Sequence, residues 1–155
     1  MAQQQPPYAA PDFSLIDSTG VRRELADFSG SWLVLYFYPE DDTPGCTIEA
    51  CSLRDSRDDI AELGAKVVGV SRDDPSSHEQ FKQKHALNFM LLCDPDVTAH
   101  KAYGSWGKKM FGQEGVLRKT FLIDPTGTVR KVYGRVNVID HGARVVADLK
   151  SLQEK

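Results

Sequence analysis

Three residues in this chain are able to act as soft nucleophiles, the cysteines Cys46, Cys51 and Cys93. An odd number of cysteines, with no apolar export segment at the start of the chain, argues against a disulfide framework and for free thiols. Cys46 follows the loop Pro39-Glu40-Asp41-Asp42-Thr43-Pro44-Gly45, and Pro44-Gly45 is a helix-start pattern. The spacing therefore predicts Cys46 in the first turn of a helix, where free backbone N–H groups and the helix dipole favour a thiolate. A thiol with a pKa of about 8.5 is only about 3% ionised at pH 7, and lowering that pKa to about 6 takes about 3.4 kcal/mol. A helix terminus supplies up to about 2 kcal/mol. A cation donating a hydrogen bond worth about 1.5–3 kcal/mol would complete the shift, so an Arg or Lys is expected near this thiol. Taken alone, Cys46 reads equally well as a small buried hydrophobe.

Cys51 lies five residues after Cys46. In a regular helix that spacing separates the two Cα atoms by about 8.6 Å, beyond the usual disulfide range of about 4.4–6.8 Å. A bond between them requires the start of the helix to unwind, which makes the pair a switch and not a staple. Read without other information, Cys51 is a core-facing helix residue. Cys93, after the apolar run 89–92, reads as structural.

These residues need a scaffold. The longest apolar run, residues 32–38, is ended by Pro39 and has the pattern of a strand buried on both faces at the centre of a sheet. A helix is expected from Pro44 or Cys46 to near Gly64. Strands are expected over 66–71 and 88–92, and helices over 75–86 and 97–103, the first with Ser76 and Ser77 near its start and the second closed by Gly104. Residues 13–16 and 21–25 around Gly20 predict an N-terminal hairpin, and 120–124 and 128–133 around Pro125-Thr126-Gly127 predict another. Val145, Val146, Leu149 and Leu152 give a final helix its apolar face. The alternation predicts an α/β domain with a mixed central β-sheet flanked by helices.

Composition sets outer limits. At 155 residues, the chain is expected to be one domain, 1–155, with residues 1–11, rich in Gln and Pro, as a flexible arm. Its hydrophobic fraction of 41% is ordinary for a globular protein, and no run approaches the length of a membrane span. A net charge of −3 leaves no excess of cations for phosphate backbones, so neither nucleic acid nor membrane is an expected partner. The absence of an export pattern gives a cytoplasmic expectation.

The pattern Pro39-x3-Thr43-x2-Cys46 resembles the active-site signature of peroxiredoxins. Asp41-Asp42-Thr43-Pro44-Gly45-Cys46-Thr47 with Cys51 is similar to the branch called bacterioferritin comigratory protein or peroxiredoxin Q. The likeness runs from about Tyr8 to the final helix and includes Phe28, Gly104-Ser105-Trp106-Gly107 and Arg118-x-Thr120-Phe121-Leu122-Ile123-Asp124. It implies a thioredoxin-like fold, no cofactor, and reduction of hydrogen peroxide or organic hydroperoxides. By that resemblance Cys46 is the attacking thiolate, Thr43 hydrogen-bonds the thiolate and the peroxide, and Pro39 shields the pocket from water. Arg118 becomes the expected cation, Glu49 orients it, and Cys51 is the resolving cysteine, recycled by thioredoxin or a similar dithiol. The branch further implies a monomer. Glu40 departs from the basic residue that many relatives carry after the proline.

Rival readings fare worse. A thiol–disulfide oxidoreductase of the same fold lacks support, since there is no Cys-x-x-Cys and no proline just before Thr120. Cys51-x5-Arg57 has the spacing of a cysteine phosphatase but no glycine to form a phosphate cradle. His78, His85, His100 and His141 are scattered without paired metal-ligand spacing and read as core or solvated histidines. A redox sensor that reacts once and stops is the alternative from a different functional class.

Overall fold

The computed structural model describes residues 3–109 and 112–154. In chain order the elements are β1 (Tyr8–Ala9), β2 (Ser14–Asp17), β3 (Arg22–Glu24), β4 (Trp32–Phe37), α1 (Pro44–Glu62), β5 (Ala65–Ser71), α2 (Pro75–His85), β6 (Met90–Cys93), α3 (Thr98–Tyr103), β7 (Trp106–Lys108), β8 (Glu114–Val116), β9 (Lys119–Ile123), β10 (Thr128–Tyr133) and α4 (His141–Gln153). A single turn of 3-10 helix, Leu25–Phe28, links β3 to β4.

The apolar run at 32–38 behaves as its composition predicts. Residues 33–38 are each at most 1% exposed, and β4 lies inside an eight-stranded sheet of order β1-β10-β9-β4-β5-β6-β2-β3. Alternation then divides the core in two. Val34, Tyr36 and Tyr38 face a layer built with Leu53 and Ile60 of α1, Phe81 of α2, and Val145 and Leu149 of α4. Leu33, Leu35 and Phe37 face the opposite layer, with Phe13, Phe28, Tyr103 and Phe121. β4 pairs in parallel with β5, and β5 with β6, whereas β9 runs antiparallel on the other side of β4. This is the mixed, helix-flanked sheet expected from the alternation of elements, and β2 and β3 form the expected hairpin.

Several details differ from the sequence reading. The stretch expected as a flexible arm is partly built into the sheet: Tyr8 and Ala9 pair with Val129 and Thr128 at its edge, and Gln3 bonds both Tyr8 and Lys119. Residues 1 and 2 of that stretch lie outside the described residues. Asp74, not a serine, caps α2 by accepting from the Ser77 N–H at 2.8 Å. The strand expected over 88–92 begins two residues later, at Met90. The β7–β8 ribbon has no counterpart in the sequence reading, because strands of three residues are too short for a periodicity to register.

α4 is fastened to α1 at both ends. The Gly142 N–H donates to Ser52 Oγ at 2.8 Å, and Gln153 Nε2 donates to the Leu63 carbonyl at 2.7 Å. The first contact has no room for a side chain, since a Cβ on Gly142 would lie 2.3 Å from the Ser52 carbonyl oxygen. Gly142→Ala must therefore push the start of α4 off α1. We expect it to destabilise the protein by about 1–3 kcal/mol, the usual range for overpacking, seen as a lowered urea midpoint with little change in slope.

Candidate active site

The loop between β4 and α1 carries the chemistry to the end of the sheet. Thr43 stands in extended backbone (φ −87°, ψ 155°) as the residue before the helix, and Pro44 occupies the first helical position, where its missing N–H matters least. Cys46 is thus the third residue of α1, with its side chain 1% exposed among the core residues of the α1 layer.

The cation that the thiolate argument required is Arg118, just before β9. Its Nη2 lies 3.3 Å from Cys46 Sγ, and its Nη1 donates to Glu49 Oε1 at 2.6 Å. The approach is close: a Cβ at Gly45 would come within 3.3 Å of the same Nη2, so a side chain there would press the guanidinium aside by a few tenths of an ångström. Glu49 is one turn beyond Cys46 and fully buried. Burial pushes its carboxyl up, to about 7, against the pull of the Arg118 charge and hydrogen bond. On Arg118 burial acts downward, but the neighbouring Glu49 and Cys46 outweigh it and hold the guanidinium above its ordinary value.

Behind the pair the wall is polar but uncharged. His141, the first residue of α4, places Nε2 2.9 Å from Thr120 Oγ1 and 3.9 Å from Glu49 Oε2. Burial pulls its imidazole down to about 4, so it is neutral at pH 7. The Tyr36 hydroxyl is buried without a hydrogen-bond partner among the described residues, and burial together with the charges of Glu49 and Cys46 keeps it well above the ordinary phenol range.

Of the six residues singled out for the site, the structure brings Cys46, Glu49 and Arg118 into one constellation. Pro39 is half-buried directly after Tyr38. Thr43 departs from expectation: its hydroxyl donates to the Glu40 carbonyl at 2.9 Å. A hydroxyl has one proton to give, so a bond from Thr43 to the sulfur requires this hydroxyl to rotate. Cys51 is half-buried on α1 and, like Cys46, is a free thiol. Cys93 is buried at the end of β6, paired in register with Ile16 and Ser71. The sequence reading passed over Tyr36, Thr120 and His141 as parts of the site. His141 carried no signal beyond its residue type, because its relation to Glu49 exists only once α4 has docked.

The arrangement provides a buried thiol at a helix N-terminus beside a fixed guanidinium, which suits attack on a bond whose leaving oxygen becomes negative. Residues 7–132 match the AhpC/TSA family. The chain is 46% identical over 149 residues to peroxiredoxin Bcp of Bacillus subtilis, covering 94% of this chain and 95% of that protein. It is 40% identical over 144 residues to peroxiredoxin Bcp of Escherichia coli, covering 91% and 92%. Among solved structures, Xanthomonas campestris peroxiredoxin Q superposes with a TM-score of 0.85 at 38% identity, covering 90% of each chain. A Xanthomonas campestris bacterioferritin comigratory protein, solved as trapped intermediate and ligand complexes in connection with alkyl peroxide reduction, superposes at 0.86 with 37% identity, over 90% of this chain and 91% of that one. These structures bear out the thioredoxin-like fold that the resemblance implied. No helix among the described residues is long and apolar enough to cross a membrane.

Removing Arg118 should separate two effects. Arg118→Ala leaves Glu49 buried without its cation, a loss on the order of 3 kcal/mol when the carboxylate is charged. The Glu49 pKa then rises further, so the destabilisation is larger at pH 8 than at pH 6, where the carboxyl carries a proton. Adding Glu49→Gln should restore much of the stability, measured by urea unfolding at both pH values, without restoring the rate of reaction with peroxide.

Proposed function

Because the chain belongs to the AhpC/TSA family, among the Bcp and peroxiredoxin Q peroxiredoxins, we propose that its thiol-dependent peroxidase activity runs through Cys46 as the attacking thiolate and Cys51 as the resolving thiol. The observation that carries this reading is the 3.3 Å approach of Arg118 Nη2 to Cys46 Sγ, with Glu49 holding the other guanidinium nitrogen at 2.6 Å. In the first step the thiolate attacks one oxygen of a hydroperoxide. The S–O bond forms as the O–O bond breaks, and the departing hydroxide or alkoxide takes up a proton. Arg118 stands beside the sulfur, where negative charge moves from sulfur to the leaving oxygen, and the family resemblance assigns Pro39 and Thr43 to the approach. Cys46 is left as a sulfenic acid.

Cys51 then attacks that sulfenic sulfur, releasing water and forming the Cys46–Cys51 disulfide, which a thioredoxin-type dithiol reduces by exchange. Both cysteines lie within the regular helix Pro44–Glu62, so closing the bond requires the first turns of α1 to unwind, as their helical separation of about 8.6 Å dictates. That unwinding draws Cys46, Glu49 and Ala50 out of the core. Hydrogen peroxide and organic hydroperoxides are the proposed substrates. The bond is within one chain, so a monomer suffices, and a reducing compartment such as the cytoplasm supplies the dithiol.

Peroxide consumption over many equivalents with thioredoxin and its reductase tests the reading. Sustained turnover is expected, and a reaction that stops after one equivalent would favour the redox-sensor alternative. Cys46→Ser should abolish consumption. Cys51→Ser should still undergo the first oxidation but lose recycling by the dithiol. Oxidation of the unaltered protein should lower its helical circular dichroism and the amide protection of residues 44–51, and unchanged signals would contradict the unwinding.

A further inference from the structure

The loop that delivers Cys46 is held from the side by α2, and the hold is buried. His78 Nδ1 lies 2.7 Å from Asp41 Oδ2, and its Nε2 lies 2.8 Å from the Leu92 carbonyl oxygen. The two side chains are 0% and 3% exposed. Asp41 also accepts from Ser77 Oγ at 2.9 Å and from the Tyr38 hydroxyl at 2.6 Å, while its own N–H donates to Asp73 Oδ2 at 2.8 Å. One residue further on, Asp42 accepts from Lys84 Nζ at 2.6 Å and His85 Nε2 at 2.9 Å. Asp42 is also a non-glycine residue at φ 59°, a backbone conformation that persists where surrounding contacts impose it. Both ends of α2 therefore grip consecutive residues of the segment between Pro39 and Thr43.

A surface loop has no need of this. Exposed connections satisfy their polar groups with water, and burying a charged pair carries a desolvation penalty that apolar packing avoids. Burial pulls the His78 imidazole downward, yet its bonds to Asp41 and the Leu92 carbonyl raise it to about 10, so the ring is protonated at neutral pH. Asp41, Asp73 and His78 are also close enough to share a cation. However, both ring nitrogens of His78 and the carboxylate oxygens that face it are already engaged in the hydrogen bonds given above, and those bonds account for the cluster.

We propose that His78 is a positioning residue for the peroxide step, fixing through Asp41 the loop that carries Pro39 and Thr43 and leads into the first turn of α1 at Cys46. The proposal rests on the reading of Cys46 as the nucleophile and adds to it a group that does not touch substrate. His78 acts on where the peroxide sits, not on the ionisation of the sulfur. Displacing a positioning contact by about 1 Å can lower a rate about 100-fold.

Two rates on the same protein test this: reaction of reduced protein with hydrogen peroxide, and alkylation of Cys46 by iodoacetamide, which needs the thiolate but no aligned peroxide. In His78→Ala the peroxide rate should fall about 10- to 100-fold while alkylation is unchanged or faster. His78→Asn, which can still donate to Asp41, should recover much of the peroxide rate. Parallel loss of both rates, or loss of neither, would overturn the proposal. If His78→Ala does not fold, Ser77→Ala decides: it removes one of the α2 donors to Asp41 and should lower the ratio of peroxide rate to alkylation rate by about threefold, and an unchanged ratio would overturn the idea. Cys46→Ser run alongside keeps the two readings apart, since retained peroxide consumption there would remove the nucleophile itself and not the loop contact.

Discussion

A single guanidinium divided between a sulfur and a carboxylate is the contact around which this end of the molecule is arranged. Glu49 is fully buried, and a buried carboxylate needs a cation that stays in place. Cys46 and Glu49 are three residues apart, so one turn of helix presents both to the same partner. Arg118 reaches them because of strand register: β9 pairs Lys119 with Phe37 and Thr120 with Tyr36, which brings Arg118 to the point where β4 runs out into the loop. A slip of one residue in that pairing would turn every side chain of β9 to the opposite face. The long core strand therefore fixes the chemistry, although none of its side chains has to react.

The remaining walls keep that charge undiluted. His141 arrives with α4, whose start can sit so close to Ser52 because residue 142 is a glycine. Thr120 and Tyr36 complete a lining of neutral groups. Arg118 is only 22% exposed and Cys46 1%, so the Arg118 charge acts on sulfur more strongly than it would between two fully solvated groups. From the other side, α2 holds the loop at Asp41 and Asp42. The thiol, carried by the consecutive elements β4 and α1, is thus set by contacts from α2, β9 and α4, which lie progressively further along the chain.

How legible this was depends on the distance over which each feature is encoded. The buried strand ended by Pro39, the helix begun at Pro44 and the thiol in its first turn are written in about fifteen consecutive residues, and they could be read from composition and spacing. The need for a cation followed from the energetics of ionisation. That the cation is Arg118 came from the family resemblance, since nothing local links residue 118 to residue 46. The Asp41–His78 contact spans 37 positions, and neither residue carries a local signal of burial. β1 and the β7–β8 ribbon are defined by their pairing partners more than by their own sequence. The family resemblance implies the Thr43 hydroxyl on the sulfur, but the nearby Glu40 carbonyl competes for the same proton and holds it here.

In the proposed cycle, Cys46 and Glu49 also share the segment that must come apart before Cys51 can be reached. The geometry that makes the sulfur reactive and the geometry that lets it be rescued are therefore mutually exclusive, and the sulfenic acid is born inside the pocket that created it. Until the helix opens, a second peroxide meets an oxidised sulfur beside the same guanidinium and can drive it to the sulfinic state. The stability of this first turn therefore acts as a timer. A firmer turn lengthens the exposure of each freshly oxidised cysteine to further damage, and a looser one shortens it at the expense of the site that performs the first reaction.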